Sequence, residues 1–237
     1  MSKVSAFTLT QKGFGWHNED SYLASKKFPI YAVADGVTMP LLEELISPSA
    51  SKLAADSFCG KTIEFVEKRY TQKFSKKIIK LSYAHANNFV KKLNTKRVEK
   101  ISATAALVIA KNGALFASRL CDSGFALFRE GKILFKTPEF WSDAKRKKRK
   151  GYGVINGKAS SLKYIDTYII KYKPGDILVL YTDGFENHFG EKGFTSFFQN
   201  KNLNRIEINI KQVDAKLIAK DPEKFDKERT ILIVQLM

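Results

Sequence analysis

Four aspartates sit at the ends of apolar, strand-like runs: Asp20 in NEDSY, Asp35 in IYAVADGV, Asp122 in LCDSGFALF and Asp183 in ILVLYTDGF. A strand fixes the backbone of the residue at its end, so each carboxylate can be aimed into a cleft. Carboxylates supply hard oxygen and negative charge, the ligand type that Mg2+ and Mn2+ favour. Four that converge make an all-oxygen site for divalent cations, and such a site points to metal-assisted chemistry on phosphate. Glu19 adds a further acid beside Asp20. Glycine after Asp35 and after Asp183 lets backbone approach an ion closely, and a glycine carbonyl can itself ligate. A lone Asp-Gly after a strand is usually only a turn. Its repetition, together with Glu19-Asp20 and Asp122-Ser123, is what carries the reading.

The elements that must hold these residues follow from hydropathy period. Residues 4–10 and 21–34 alternate or run apolar and predict strands. Ser47-Pro48-Ser49 predicts a helix start, with Ser47 as N-cap and Pro48 in the first turn, running to about Arg69. A second helix from about Thr71 to Leu93 puts Ile78, Leu81, Ala84, His85, Phe89 and Leu93 roughly on one face. Short strands then follow at 102–110, 114–119, 123–129 and 132–136, parted by Asn112-Gly113, the Asp122 turn and Glu130-Gly131. Residues 139–163 are polar or loop-like and include the run Lys145-Arg146-Lys147-Lys148-Arg149-Lys150. Strands return at 164–171 and 176–182 around the turn Lys173-Pro174-Gly175-Asp176. Residues 186–219 are mostly helical, and 230–236 form a closing strand. Strands and helices come in blocks, which predicts an α+β sandwich with antiparallel sheets and not a doubly wound parallel sheet. No internal repeat or long linker interrupts the 237 residues, so they read as one domain.

Composition narrows the classes. The 44% hydrophobic content supports a sizeable core and excludes wholesale disorder. No apolar run is long enough to span a bilayer, and MSKVSAFTLTQKG lacks the apolar block of a signal peptide. Cys59 and Cys121 are the only cysteines, without a CxxC pair, and read as reduced core thiols of a cytoplasmic protein. His17, His85 and His188 show no zinc spacing. His85 reads as a packed helix residue. His17 and His188 lie near acidic motifs, where a histidine can pass a proton, yet nearness in sequence is not geometry and both read as bystanders. The net charge of +17 draws anionic partners, whether phosphorylated protein, nucleic acid or membrane surface, and is read foremost as a solubilising surface. The basic run has no interleaved aromatics, so nucleic acid is the less favoured partner.

The order NED, ADG, CDSGFALFREGK, PGDILVLYTDG and a terminal TILIV strand resembles the metal-dependent PPM-type, phosphatase 2C-like protein phosphatases. The resemblance runs from about residue 3 to residue 236. Each motif is weak alone; their order and strand-end placement make the match specific. It implies a four-layer αββα sandwich with two central antiparallel sheets flanked by helices, and a monomer. It implies a metal-dependent phosphomonoester hydrolase that removes phosphate from phosphoserine and phosphothreonine in proteins, using two or more Mn2+ or Mg2+ ions to activate water. Asp35 would bridge two ions, the Gly36 carbonyl would ligate one, and Asp183 the other. Glu19 and Asp20 would bind metal or orient water around it, and Asp122 would serve a further, weaker ion. Catalysis is thus expected to rest on Asp35, Asp183 and Asp20.

Three departures from the family pattern stand out. The last family acid falls at Lys227-Glu228-Arg229-Thr230, where a protonated lysine cannot ligate; Glu228, placed ahead of Asp226, is the expected replacement. The arginine that clamps substrate phosphate in the family is Gly15 here, leaving Lys12, Arg119 or the basic run to compensate, with Lys12 and Arg119 as the expected substrate-binding residues, although lysine is a poorer clamp. Asp35-Gly36-Val37-Thr38 lacks the second glycine of the family motif. These departures motivate an alternative function, a phosphoprotein-binding regulatory module with weak or no turnover. The basic run together with Gly151-Tyr152-Gly153 is expected to lie on a flap beside the cleft and to steer anionic substrates.

Overall fold

The computed structural model describes residues 2–9, 18–37, 49–97, 100–140, 142 and 152–237. Lys12, Gly15, His17, Thr38, Ser47, Pro48, the basic run and Gly151 lie outside the described residues.

Two five-stranded antiparallel sheets form the centre. One contains β2 (Ser21–Ala24), β3 (Ile30–Ala34), β4 (Ala105–Lys111), β5 (Ala114–Leu120) and β8 (Asp166–Lys171), in that spatial order. The other runs β1 (Lys3–Leu9), β10 (Arg229–Gln235), β9 (Ile177–Tyr181), β6 (Gly124–Arg129) and β7 (Lys132–Lys136). The apolar stretch 21–34 is therefore a hairpin of two strands. Asn112-Gly113 and Glu130-Gly131 turn their hairpins with positive φ at both residues, the geometry that matches strand twist.

Side-chain alternation sorts the strand residues into layers. Val33, Val108, Ala117, Leu127, Leu180 and Leu232 fill the space between the sheets. Ala32, Leu107 and Ile109 point the other way, onto α1 (Ala50–Glu67) and α2 (Lys76–Thr95). On the far side, Phe128, Val179, Ile231 and Ile233 pack under α3 (Leu203–Lys220) and the 3-10 turns Asp183–Gly190 and Phe194–Gln199. A short α4 (Pro222–Phe225) precedes β10. This is the expected αββα order.

Two helix expectations are corrected. Helix α1 starts at Ala50 with Ser49 as N-cap, its hydroxyl accepting the Lys52 N–H at 3.1 Å, so the start lies beyond Ser47-Pro48. Helix α2 buries a face rotated from the one predicted: Ile78 is buried and Leu93 packs on the core as expected, but Ile79, Ser82, Tyr83, Ala86, Asn87, Val90 and Asn94 complete the inward face, whereas Leu81, His85 and Phe89 are exposed. The buried stripe is partly polar because it anchors loops. Asn94 Oδ1 accepts the Ile101 N–H at 2.9 Å, and Asn87 Oδ1 accepts those of Asn156 and Gly157 at 3.1 and 2.8 Å. His85 lies against Phe65 on the helix surface, with ring centroids 5.3 Å apart.

Candidate active site

The two sheets deliver the acidic residues to one end of the sandwich. Asp35 follows β3, Asp122 lies in the turn from β5 to β6, and Asp183 comes two residues after β9. Glu19-Asp20 lead into β2, and Glu228 immediately precedes β10. Strands β9 and β10 are paired, with Ile231 opposite Tyr181, so the chain around Glu228 runs beside Asp183-Gly184.

Hydrogen bonds stitch the set across the sheets. Thr182 Oγ1 donates to Asp20 Oδ2 at 2.8 Å and accepts the Thr230 N–H at 2.8 Å. Glu228 Oε1 accepts the backbone N–H of Glu19, and that of Asp20 at 3.4 Å. Ser49, the α1 N-cap, donates to Glu19 Oε1 at 2.6 Å, and Lys52 from the same helix donates to the Asp20 carbonyl. Thr104 secures Asp35: its N–H donates to the Asp35 carbonyl at 2.8 Å and its hydroxyl accepts the Asp35 N–H at 3.3 Å. The same hydroxyl lies 2.5 Å from Ser123 Oγ, next to Asp122.

Both glycines are needed for close approach. A Cβ on Gly36 would stand 2.7 Å from the Ser51 carbonyl, so the first turn of α1 rests directly on the backbone after Asp35. A Cβ on Gly184 would overlap the Glu228 carbonyl oxygen.

The electrostatics are those of crowded acids. Burial pushes the Asp35 carboxyl well above its usual range, and the charges of Asp20, Asp183, Asp122 and Glu228 push it further. Burial raises Asp20 to about 7, with the Thr182 hydrogen bond opposing. Burial raises Asp122 to about 6, then Asp183 adds to it. Glu228 is raised to about 8 by burial and then by Asp20. Asp183 is raised by burial, while the nearby Lys227 ammonium pulls it back. Asp20 Oδ1 and Asp122 Oδ1 are buried without a hydrogen-bond partner. Buried carboxylates that raise one another need a counter-charge, and two orphaned acceptor oxygens need something to accept from. Mn2+ or Mg2+ fits both needs, and Asp20, Asp35, Asp122, Asp183 and Glu228 could hold it. Among the described residues no three acidic, histidine or cysteine side chains close tightly around one point. The fit therefore rests on charge and burial, not on a finished coordination shell.

The remaining expected residues separate from this set. Asp226 lies 3.9 Å from Arg229 Nη1, whereas Glu228 is the acid coupled to Asp20. Arg119 is only 2% exposed; it donates to the Pro138 carbonyl and lies 3.7 Å from Asp166 Oδ2. Its charge helps stabilise the Asp122 carboxylate. In this position it ties β5 to the chain beyond β7 and does not open onto solvent.

Several contributors escaped the sequence reading. Thr182 is the first residue of the TDG motif and could have been noticed there. Ser123 stands beside Asp122 in a motif already read for chemistry, whereas Thr104 and Ser49 lie in segments read for secondary structure alone. Asp214, which binds both His188 and Arg229, carries no motif at all.

Comparison with known proteins decides the family. The family model for protein phosphatase 2C matches residues 13–217. The chain belongs to the protein phosphatase 2C family. No curated relative matches by sequence. Among solved structures, the serine/threonine phosphatase PstP/Ppp of Mycobacterium tuberculosis shares 13% identity with a TM-score of 0.75, covering 99% of this chain and 98% of that one. The PstP catalytic domain in complex with two manganese ions gives 13% identity and a TM-score of 0.67, covering 98% and 96%. RsbX in complex with magnesium gives 15% identity and a TM-score of 0.61, covering both chains fully at 100%. At this identity the structures speak for the fold alone, and the family match speaks for the activity. The protein is a metal-dependent serine/threonine protein phosphatase of the 2C family, acting on phosphoproteins. The binding-module alternative is not favoured. No helix among the described residues is long and apolar enough to cross a membrane.

Proposed function

We propose that Asp20, Asp35, Asp122, Asp183 and Glu228 are the working carboxylates of this phosphatase, holding two or more Mn2+ or Mg2+ ions. The observation that supports this most is that burial raises all five, that repulsion within the set raises Asp20, Asp35, Asp122 and Glu228 further, and that two of their oxygens lack partners. Bound ions supply Lewis acidity, lowering the pKa of a water and offsetting charge on phosphoryl oxygens. Asp35 is the centre of the set because it feels each of the other four. Asp183 and Asp20 flank it, and Asp122 stands at the β5–β6 side. The Gly36 carbonyl is proposed as a backbone ligand. Glu19, bonded to Ser49, orients solvent and fixes the loop.

Glu228 replaces the acid that Lys227 displaces, and Asp226 is set aside because it faces Arg229. Lys12 remains the candidate for substrate phosphate. Arg119 is better read as supporting Asp122 and the chain near Pro138. The 237 residues form one domain, monomeric and cytoplasmic, with phosphoserine or phosphothreonine proteins as substrates and the basic run steering them.

Hydrolysis of a phosphothreonine peptide with Mn2+, and again with chelator, tests the reading. Turnover should require the ion and should be lost in Asp35→Asn. Metal-independent turnover, or full activity in that variant, would sink it.

A further inference from the structure

Behind the acidic set, His188, Asp214 and Arg229 form a buried row, at 0%, 4% and 2% exposure. Arg229 Nε and Nη2 donate to Asp214 Oδ1 and Oδ2, each at 2.7 Å, the two-pronged geometry that a guanidinium and a carboxylate share. His188 Nε2 lies 3.0 Å from Asp214 Oδ1. Arg229 Nη1 donates to the Lys227 carbonyl. The His188 ring is enclosed by Phe185, Phe194 and Phe225, with centroids at 4.9, 5.6 and 5.2 Å, and its Nδ1 has no partner. Burial opposes ionisation of Asp214, but the hydrogen bonds from His188 and Arg229 outweigh it and hold the carboxyl below its usual range.

Charged groups buried this deeply are not needed for stability, since well-packed apolar side chains commonly serve as well. What they add is direction. Asp214 stands on α3, in the outer layer. Through Arg229 it grips the backbone on both sides of Glu228, whose carboxylate in turn holds the Glu19 and Asp20 amides. Through His188 it grips the 3-10 turn that Asp183 begins. Asp214 thus joins the two segments that bring Asp183 and Glu228 to the site.

We propose that Asp214 is a positioning residue for the phosphatase centre. From the outer helix it sets the spacing of Asp183 and Glu228 and thereby the affinity for the divalent ions. This rests on the acidic set being the metal site. Outer-shell partners of this kind commonly change metal affinity by about 10- to 100-fold.

The test is a Mn2+ titration followed by calorimetry and by activation of peptide hydrolysis. The double variant Asp214→Leu/Arg229→Met removes both charges while keeping apolar volume. It should fold, with an unfolding midpoint in chelator near that of the native chain, yet bind Mn2+ about 10-fold or more weakly. Misfolding would lower the amplitude of the titration; mispositioned ligands move its midpoint. A folded double variant with native Mn2+ affinity overturns the inference. If it does not fold, His188→Leu and His188→Gln decide: leucine should shift the midpoint, and glutamine, which keeps an N–H donor, should restore it. Equal, native midpoints in both would again overturn the inference. A native chain that binds no Mn2+ would instead sink the underlying metal-site reading.

Discussion

The carboxylate of Glu228 receives the backbone N–H groups of Glu19 and Asp20, so the last acidic motif of the chain is fastened directly to the first. Glu228 therefore has two duties, acceptor and charge, and two substitutions separate them. Glu228→Gln keeps an acceptor oxygen and removes a charge from a crowded set; the metal-free protein should be at least as stable as the native one at pH 8. Glu228→Ala removes the acceptor of the Glu19 amide, while the Asp20 amide keeps Asn18 Oδ1 at 3.0 Å, and should cost about 1–3 kcal/mol. Urea unfolding in chelator measures both. Equal stability of the two variants would mean that the hydrogen bonds contribute nothing.

Asp35 and Asp183 sit where activity and stability pull in opposite directions. Burial and neighbouring acids raise both carboxyls. Asp35→Asn and Asp183→Asn should lower turnover by about 100-fold or more, since each tenfold is ~1.4 kcal/mol of barrier and bound cations supply several kcal/mol. The same variants should melt higher than the native chain in chelator at pH 8. A variant that loses both activity and stability would indicate damage to the fold, not relief of repulsion.

The acidic set also fixes the sign of the pH dependence. In the folded chain Asp122, Asp20 and Glu228 titrate near 6, 7 and 8, against 3.8 for an unperturbed aspartate and 4.5 for glutamate. The metal-free native state therefore holds more protons than the unfolded state between about pH 4 and pH 8. Stability falls as pH rises through that window. Thermal unfolding in chelator should thus give a higher midpoint at pH 5.5 than at pH 8. Saturating Mn2+ should raise the pH 8 midpoint more than the pH 5.5 one, because protons compete with the ion. A metal-free midpoint that climbs from pH 5.5 to pH 8 contradicts the assignment.

The sandwich was legible because its strands carry their own signals. Asn112-Gly113 and Glu130-Gly131 mark hairpins by local backbone preference, and β3 reads as a continuous apolar run because both its faces are covered. Asp35, Asp183, Asp20 and Asp122 were legible for a related reason, since a carboxylate at a strand end stands out against apolar residues. Helix α2 was misread because Asn87 and Asn94 are inward residues that bind loops distant in sequence, and hydropathy treats them as surface. The Asp214–Arg229 pair was invisible on the same grounds. Arg229 opens an apolar strand and Asp214 lies on an amphipathic helix, and only the packing of α3 onto the sheet pairs them. Contacts set by tertiary register leave no local pattern to read.

Gly184 yields a prediction of opposite sign to another glycine in the same chain. Its backbone lies so close to β10 that a methyl group would overlap the Glu228 carbonyl oxygen and stand 2.7 Å from Arg229 Cβ. Neither neighbour can yield cheaply: Thr182 and Thr230 pair just beside them at 3.1 Å, and Arg229 is held by Asp214. Gly184→Ala should cost about 1–3 kcal/mol, the usual cost of forcing extra volume into a packed site. It should also weaken Mn2+ binding, because the displaced segment carries Glu228. Gly60, midway along α1, has nothing within 4 Å of where its Cβ would stand. Gly60→Ala should stabilise by about 0.5–1 kcal/mol through helix propensity. Chemical denaturation of the two variants, with Mn2+ titrations alongside, measures both effects. Should Gly184→Ala unfold like Gly60→Ala and bind Mn2+ as the native chain does, the tight contact between the TDG turn and the start of β10 would have no part in shaping the site.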